Sequence, residues 1–472
     1  MEAAGPLGPS RGNASSPVIL PPIAYDGDGD TGGGVRVFCR LTFAVALLAA
    51  AALPDLAHAA AFDPEQATEA YLATVSGAAR AKSDAYFEGG YVLDAANAGI
   101  NIFAALAILF TGLSRRFRDW ADRTTGWRGL SVMLYTALFL FVLTLLTLPF
   151  DYYRGFLREH EFGLSNQDNA GWAQDYAIAV ALNIVIFSIL AAVIYAVIRR
   201  APQTWWLWGT LVATVFAAFL AMVAPVFITP LFNTFTPMDE GPLKAEILSL
   251  ARANGIPADN VYQFDASRQS KRISANVSGL FGTTRISLND NLLKRGTPAE
   301  IKAVMGHEMG HYVLNHAYKF LVMFVVFFGV ILAIVARLLS AFVAGPGQRL
   351  GLRDVADPAA MPMLIALLTL FFYVATPVQN TMVRVQEAEA DIFGLNAARE
   401  PDGFATIALK LAEYRKLDPT PWEERVFYDH PSGRSRVSMA MHFKAEHLAD
   451  AASETTPAAV TTPPQTSAPP AP

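Results

Sequence analysis

The chain of 472 residues is 53% hydrophobic and only 16% charged, where soluble globular proteins carry roughly 25% charged residues. So little charge cannot cover a water-facing surface, which excludes an ordinary soluble protein, and a net charge of -5 gives no electrostatic reason to bind nucleic acid. The single cysteine, Cys39, excludes an intrachain disulfide and a thiolate cluster, so a metal here must be held by histidines and carboxylates.

Residues 1–35 are rich in Gly, Pro, Ser and Asp and read as disordered. Arg36 and Arg40 then precede the apolar run Leu41–Leu53 and the small-residue end Ala57-His58-Ala59. That order reads either as a secretory signal or as an uncleaved first membrane helix. A polar helical stretch follows at 62–88. Long apolar runs then recur near 91–113, 130–150, 175–198, 204–229, 319–340 and 361–383. Each can cross a hydrocarbon core of roughly 30 Å, which takes about 20 helical residues. The expected fold is mainly α and polytopic, with six membrane helices or seven if 41–59 is retained.

Basic residues orient these helices, because Lys and Arg are enriched on the cytoplasmic side. Arg115, Arg116, Arg118, Arg123 and Arg128 follow the first run, Arg199 and Arg200 follow the third, and Arg337, Arg349 and Arg353 lie around the linker at 341–360. All fall on one side, while the linker at 151–174 carries only Arg154 and Arg158. Segment 230–318 and the segment after 383 are therefore placed outside a bacterial inner membrane. The resulting organisation is an N-terminal extension with signal or first helix at 1–61, membrane helices at 62–229, a polar domain split between 230–318 and 384–449 by two further membrane helices at 319–383, and a disordered tail at 450–472.

Within 230–318, a helix is predicted near Leu243–Ala253 and a strand at Val261–Phe264. Ile273–Phe281 and Thr284–Leu288, joined through Gly282, resemble a hairpin. A second helix runs from Pro298, a favoured first-turn residue, through Val313. It carries His307-Glu308-Met309-Gly310-His311. Histidines one turn apart share a helix face and can hold one Zn²⁺. Glu308 lies about 100° round the helix, where a carboxylate serves as general base towards water rather than as a ligand. His316, five residues beyond His311, is taken to point elsewhere. A third ligand is needed, and Glu387-Ala388-Glu389-Ala390-Asp391 offers one. Glu387 and Asp391 share a face, which suits Glu387 as ligand and Asp391 as acceptor for a ligand histidine's free N–H; Glu389 points away. Two solvated histidines, or a solvated acidic helix start, would each be the blander reading of one motif alone. Together they read as a zinc site.

At this point the chain resembles the type I CAAX prenyl proteases, integral-membrane zinc metalloendopeptidases. The likeness rests on Leu148–Tyr153 leading to Glu161–Ser165, on Pro225–Asn233, on the run at 307–316, on the Glu387 and Asp391 pair, and on His430-Pro431 with Arg436 six residues after the histidine. It spans about 62–445. The resemblance implies a helical barrel around a water-filled chamber, a zincin-like α+β protease domain, and Zn²⁺ held by His307, His311 and Glu387. It also implies Glu308 activating a zinc-bound water, with His430 and Arg436 steadying the oxyanion or the substrate. The family's substrate-facing strand usually carries Asn-Ala, whereas this chain has Ser274-Ala275 with Asn276 one place later. These three remain the candidate substrate-binding residues, through backbone pairing of an extended peptide. Eukaryotic members are understood to act on the cytosolic side; the arginine asymmetry here points outward, which makes prenylated proteins unexpected substrates. The expected partners are a peptide or protein substrate and the lipid bilayer, with no nucleic acid. A transporter would place charges at mid-membrane, and the six runs have none at their centres. A non-catalytic metal scaffold would have no need of Glu308.

Overall fold

The computed structural model describes residues 62–278 and 284–454. The extension at 1–35, the signal or helix at 41–59, the hairpin turn including Gly282, and the tail beyond 454 lie outside the described residues. Helix α1 (Pro64–Ala73) starts at Asp63, whose carboxylate accepts from the N–H groups of Glu65 and Gln66. Then come α2 (Gly77–Phe110), the amphipathic α3 (Leu113–Thr124), α4 (Arg128–Tyr152), α5 (Asn169–Arg200) and α6 (Trp205–Val223). The 34 residues of α2 extend well ahead of the apolar run at 91–113. Its polar first turns meet the polar domain, where Ser83 donates to the Arg415 carbonyl at 3.0 Å and Glu88 pairs with Lys416 at 2.7 Å.

Among the described residues, five helices are long and apolar enough to cross a membrane, or six if the bent pair described below is one span. Phe187, Ile189, Trp208, Val215 and Phe219 stand exposed along α5 and α6, a surface that lipid covers and water would not. Two arginine-bearing linkers meet at one end of the bundle. Buried Arg118 pairs with fully buried Asp357 at 2.6 Å, and Arg353 with Asp122 at 2.8 Å. On the other side the helices surround a chamber of about 1260 Å³, lined by α2, α4 and α5 residues such as Tyr91, Asp94, Asp151 and Tyr176.

The polar domain combines a small sheet with helices. Strands β1 (Phe235–Pro237), β2 (Val261–Phe264), β3 (Ala275–Ser278) and β4 (Arg285–Asn289) lie in the order β1-β2-β4-β3. The expected hairpin pairs as an antiparallel ladder, Ala275 opposite Leu288 and Val277 opposite Ile286, and leaves β3 at the sheet edge. Ile286 and Leu288 are fully buried against α7 (Pro242–Ala253) and α8 (Pro298–Val313). Helix α8 begins in a capping box: Thr297 accepts from Glu300 N–H while the Glu300 carboxylate accepts from Thr297 N–H, and Lys410 donates to the same carboxylate at 2.6 Å.

After α8 the chain crosses as α9 (His316–Ala344) and returns as α10 (Met361–Val374) and α11 (Thr376–Ala398). The run expected to span at 361–383 is bent rather than continuous. The run breaks at Ala375 and its halves meet at 56°. Pro377 has no N–H to continue the ladder and its ring crowds the preceding turn; across the break, the Gln379 side-chain amide donates to the Phe372 carbonyl near the end of α10 at 2.9 Å. Past α12 (Pro401–Leu411), α13 (Gly433–Glu454) is the last helix among the described residues and runs to Glu454, past the 450 boundary from which disorder is expected.

The bend brings α11 down onto α8, and glycines set how close they come. A Cβ on Gly394 would stand 2.7 Å from the His307 backbone nitrogen; one on Gly306 would meet the Gly394 carbonyl at 3.0 Å; one on Gly310 would meet Ala390 Cα at 3.1 Å. Backbone cannot yield as a flexible side chain can. Gly394→Ala should therefore cost about 1–3 kcal/mol, the usual range for overpacking, and lower the thermal melting temperature. Gly99→Ala in α2, where nothing lies within 4 Å, is the control. Equal melting of the two variants would refute this account of the contact.

Candidate active site

The α8–α11 contact assembles the predicted cluster. His307 and His311, one turn apart on α8, face Glu387 on α11, and one donor atom from each lies within 4.8 Å of the others. His307 Nε2 and His311 Nε2 approach to 3.1 Å. Their outer nitrogens are engaged. His307 Nδ1 lies 2.7 Å from Asp391 Oδ1, and because a carboxylate only accepts, the imidazole donates there. Asp391 is fully buried, and its other oxygen accepts from Arg436 Nε at 2.9 Å. Burial pulls the His307 pKa down, but the Asp391 hydrogen bond and charge outweigh it and raise it to about 9.

Glu387 Oε2 is the revealing atom. It is buried and accepts no hydrogen bond, yet His430 Nε2 stands at 3.2 Å, His307 Nε2 at 3.3 Å and Arg436 Nη2 at 3.5 Å. A carboxylate oxygen among converging nitrogens, beside two imidazole nitrogens that face each other, is a donor set shaped for a cation. Two histidines and one carboxylate with no cysteine suit Zn²⁺ that keeps an open position.

Glu308 opens onto a cleft of about 220 Å³ whose walls include Ser274, Ala275, His307, His430 and Arg436. Burial raises its carboxyl to about 7, with His307 pulling it back and Glu387 pushing it up. His430 is held through Nδ1 by the Asp429 carboxylate at 2.7 Å, which leaves Nε2 turned to the cleft. Arg436 keeps one guanidinium nitrogen, Nη2, buried without a partner. Tyr414 and Arg415 line both this cleft and the large chamber, so the two spaces adjoin.

Of the three candidate substrate-binding residues, Ser274 and Ala275 reach the cleft wall, whereas Asn276 sits exposed further along β3 and outside that wall. One other expectation is corrected: His316 does not point elsewhere, since its Nδ1 lies 2.9 Å from His311 Nδ1. Glu389 stands outside the His307, His311 and Glu387 group, with an oxygen 3.1 Å from His316 Nε2. The helix does not simply continue past His311. Asn315 adopts left-handed backbone (φ 58) and turns the chain back, a conformation that Asn tolerates better than most residues. Asn immediately before His316 was the signal available in the sequence.

Comparison with known proteins covers the same ground. Residues 64–234 match the CAAX prenyl protease N-terminal region, five membrane helices, and residues 237–444 match peptidase family M48. The uncharacterized metalloprotease YhfN of Bacillus subtilis is 29% identical over 341 residues, 72% of this chain and 80% of that one. A CAAX prenyl protease 1 homolog from Oryza sativa is 30% identical over 309 residues, 62% of this chain and 68% of that one. The crystal structure of S. mikatae Ste24p shares the fold, with a TM-score of 0.65 and 22% identity over 80% of this chain and 94% of that chain. From motif order, helical architecture and these relatives together, the chain belongs to the M48 peptidases of the CAAX prenyl protease 1 family, metalloendopeptidases embedded in the membrane.

Proposed function

We propose that this metalloendopeptidase uses one Zn²⁺ held by His307, His311 and Glu387, and cleaves extended peptide or protein segments on the extracytoplasmic face of a bacterial inner membrane. The observation that carries the metal assignment is the buried, unbonded Glu387 Oε2 beside the two facing imidazole nitrogens. When bound, zinc supplies Lewis acidity, polarising the scissile carbonyl and acidifying a water.

The chain's own residues do the rest. Glu308 takes the proton of the attacking water and returns it to the leaving amine. Burial, which raises its carboxyl above the ordinary range, favours its taking up a proton. His430 Nε2 and Arg436 Nη2 offer N–H groups to the charge developing on the carbonyl oxygen, held in place by Asp429 and Asp391 before substrate arrives. Asp391 keeps His307 in the tautomer that presents Nε2.

Substrate docks as an added strand on β3. Asn289 N donates to Ser274 O at 2.9 Å, which sets the antiparallel alternation: Ser274 and Asn276 bond towards β4, while the backbone groups of Ala275 and Val277 face the open edge. That edge leads to Glu308 through the wall shared by Ser274 and Ala275. Main-chain pairing is common to all sequences, so side-chain selectivity should be loose. The outward orientation rests on the arginines at the opposite ends of the spans.

Glu308→Gln should retain zinc while losing about 10²–10⁴-fold in turnover, and His311→Ala should lose the metal; stoichiometric zinc in purified His311→Ala would sink the ligand assignment. Val277→Pro should impair peptide cleavage with zinc still bound, because it removes an N–H on the open edge, and unchanged peptide kinetics would rule that docking mode out. Orientation is read by an impermeant maleimide in a Cys39→Ser background. Lys294→Cys should label in spheroplasts and Arg123→Cys only after permeabilisation; the reverse pattern inverts the topology.

A further inference from the structure

His307 and His311 differ in what stands behind them. Behind His307 a buried carboxylate takes the Nδ1 proton directly, and Arg436 holds that carboxylate. Behind His311, no carboxylate among the described residues is in hydrogen-bond reach of Nδ1. Its neighbour there is His316, 96% removed from solvent, with the two Nδ1 atoms 2.9 Å apart and the rings edge to face at 74°. His316 Nε2 lies 3.1 Å from Glu389 Oε2, and Lys319 Nζ donates to the same oxygen at 2.5 Å.

Hydrogen-bond chemistry gives this chain one direction. Glu389 only accepts, so His316 Nε2 carries a hydrogen and donates it. A neutral His316 then has a bare Nδ1, which can only accept. The hydrogen between the two rings therefore belongs to His311 Nδ1. That leaves His311 Nε2 as a lone pair aimed at His307 Nε2 and Glu387, the orientation a ligand must have. The reach is made possible by local backbone: left-handed Asn315 ends α8 and aims the first residue of α9 back at the last turn.

We propose that His316 and Glu389 are positioning residues for His311, fixing its tautomer and ring orientation for zinc, with Lys319 anchoring Glu389. This rests on the zinc assignment made above. Neither residue touches substrate. The relay also spans the two halves of the polar domain, since His316 opens one membrane helix and Glu389 lies beyond the return of the next. The second ligand is thereby tied to α11 independently of the first.

The test measures zinc affinity rather than activity. Full-length protein purified in detergent is first analysed for bound zinc, and its affinity is then measured by competition with a chromophoric chelator. Loss of an outer hydrogen-bond partner typically weakens metal binding by about 10–100-fold. His316→Leu should fall in that range, because it fills space but accepts nothing. His316→Asn should recover most of the loss, because its carbonyl oxygen stands where Nδ1 accepted. Glu389→Leu, at a half-exposed position that tolerates change, should weaken binding in the same direction and carries the test if His316→Leu fails to fold. Affinities within twofold of wild type in the folded variants overturn the proposal. So does His316→Asn binding no better than His316→Leu, which would mark the position as packing alone. Wild-type protein without zinc overturns the ligand assignment and this inference together, whereas normal wild-type zinc with unaffected variants overturns this inference alone.

Discussion

Backbone-to-backbone approach of α8 and α11 is the constraint on which the site depends. Every proposed ligand comes from these two helices, and the spacing between His307 and Glu387 follows from the spacing between His307 and Gly394. On α11, Glu387, Asp391 and Gly394 stand at i, i+4 and i+7, one face of one helix. The glycine lets that face come close, and the two carboxylates use the closeness. Because α9 and α10 leave and return between α8 and α11, the membrane pair closes a loop around the site. The bend at Ala375 matters for the same reason: a straight continuation of α10 would carry Glu387 along the span axis and away from α8.

Much of this was legible in the chain because it lies within single elements. The bounds of α8 followed from Pro298 and the end at Val313, and the i, i+4 pairs of His307 with His311 and Glu387 with Asp391 need nothing but helical geometry. The apolar runs gave the spans by length alone. What stayed hidden depends on neighbours distant in sequence or on a local break. Gly394 looks like any small helical residue until His307 is placed against it. His316 looks misdirected if the helix is assumed to continue, and only the left-handed turn at Asn315 reverses it. Pro377 lies inside an apolar run whose hydrophobicity does not register its missing N–H. Asn276 reads as one stretch with Ser274 and Ala275, but the cleft ends before it.

The large chamber and the small cleft divide labour. The chamber walls mix Asp94, Asp151 and Tyr176 with apolar side chains and can solvate an unfolded segment, while the cleft at Glu308 is narrow and ringed by donors. Tyr414 and Arg415 sit at the junction of the two spaces. Burial that would be costly for an isolated ionised group is offset in the cleft by pairing, Asp391 lying between His307 and Arg436.

The capping box at the start of α8 has a further consequence, in proton linkage. Burial works to raise the Glu300 carboxyl, but Lys410 and the Thr297 N–H outweigh it, so its folded pKa lies below the ordinary 4.5. A group depressed on folding stabilises the native state above its unfolded pKa and loses that contribution as pH falls through the folded value. The helix bearing both imidazoles is thus anchored by a charge that acid removes. Acidification should weaken the hold on the first turn of α8, through a carboxylate that is not among the proposed metal ligands.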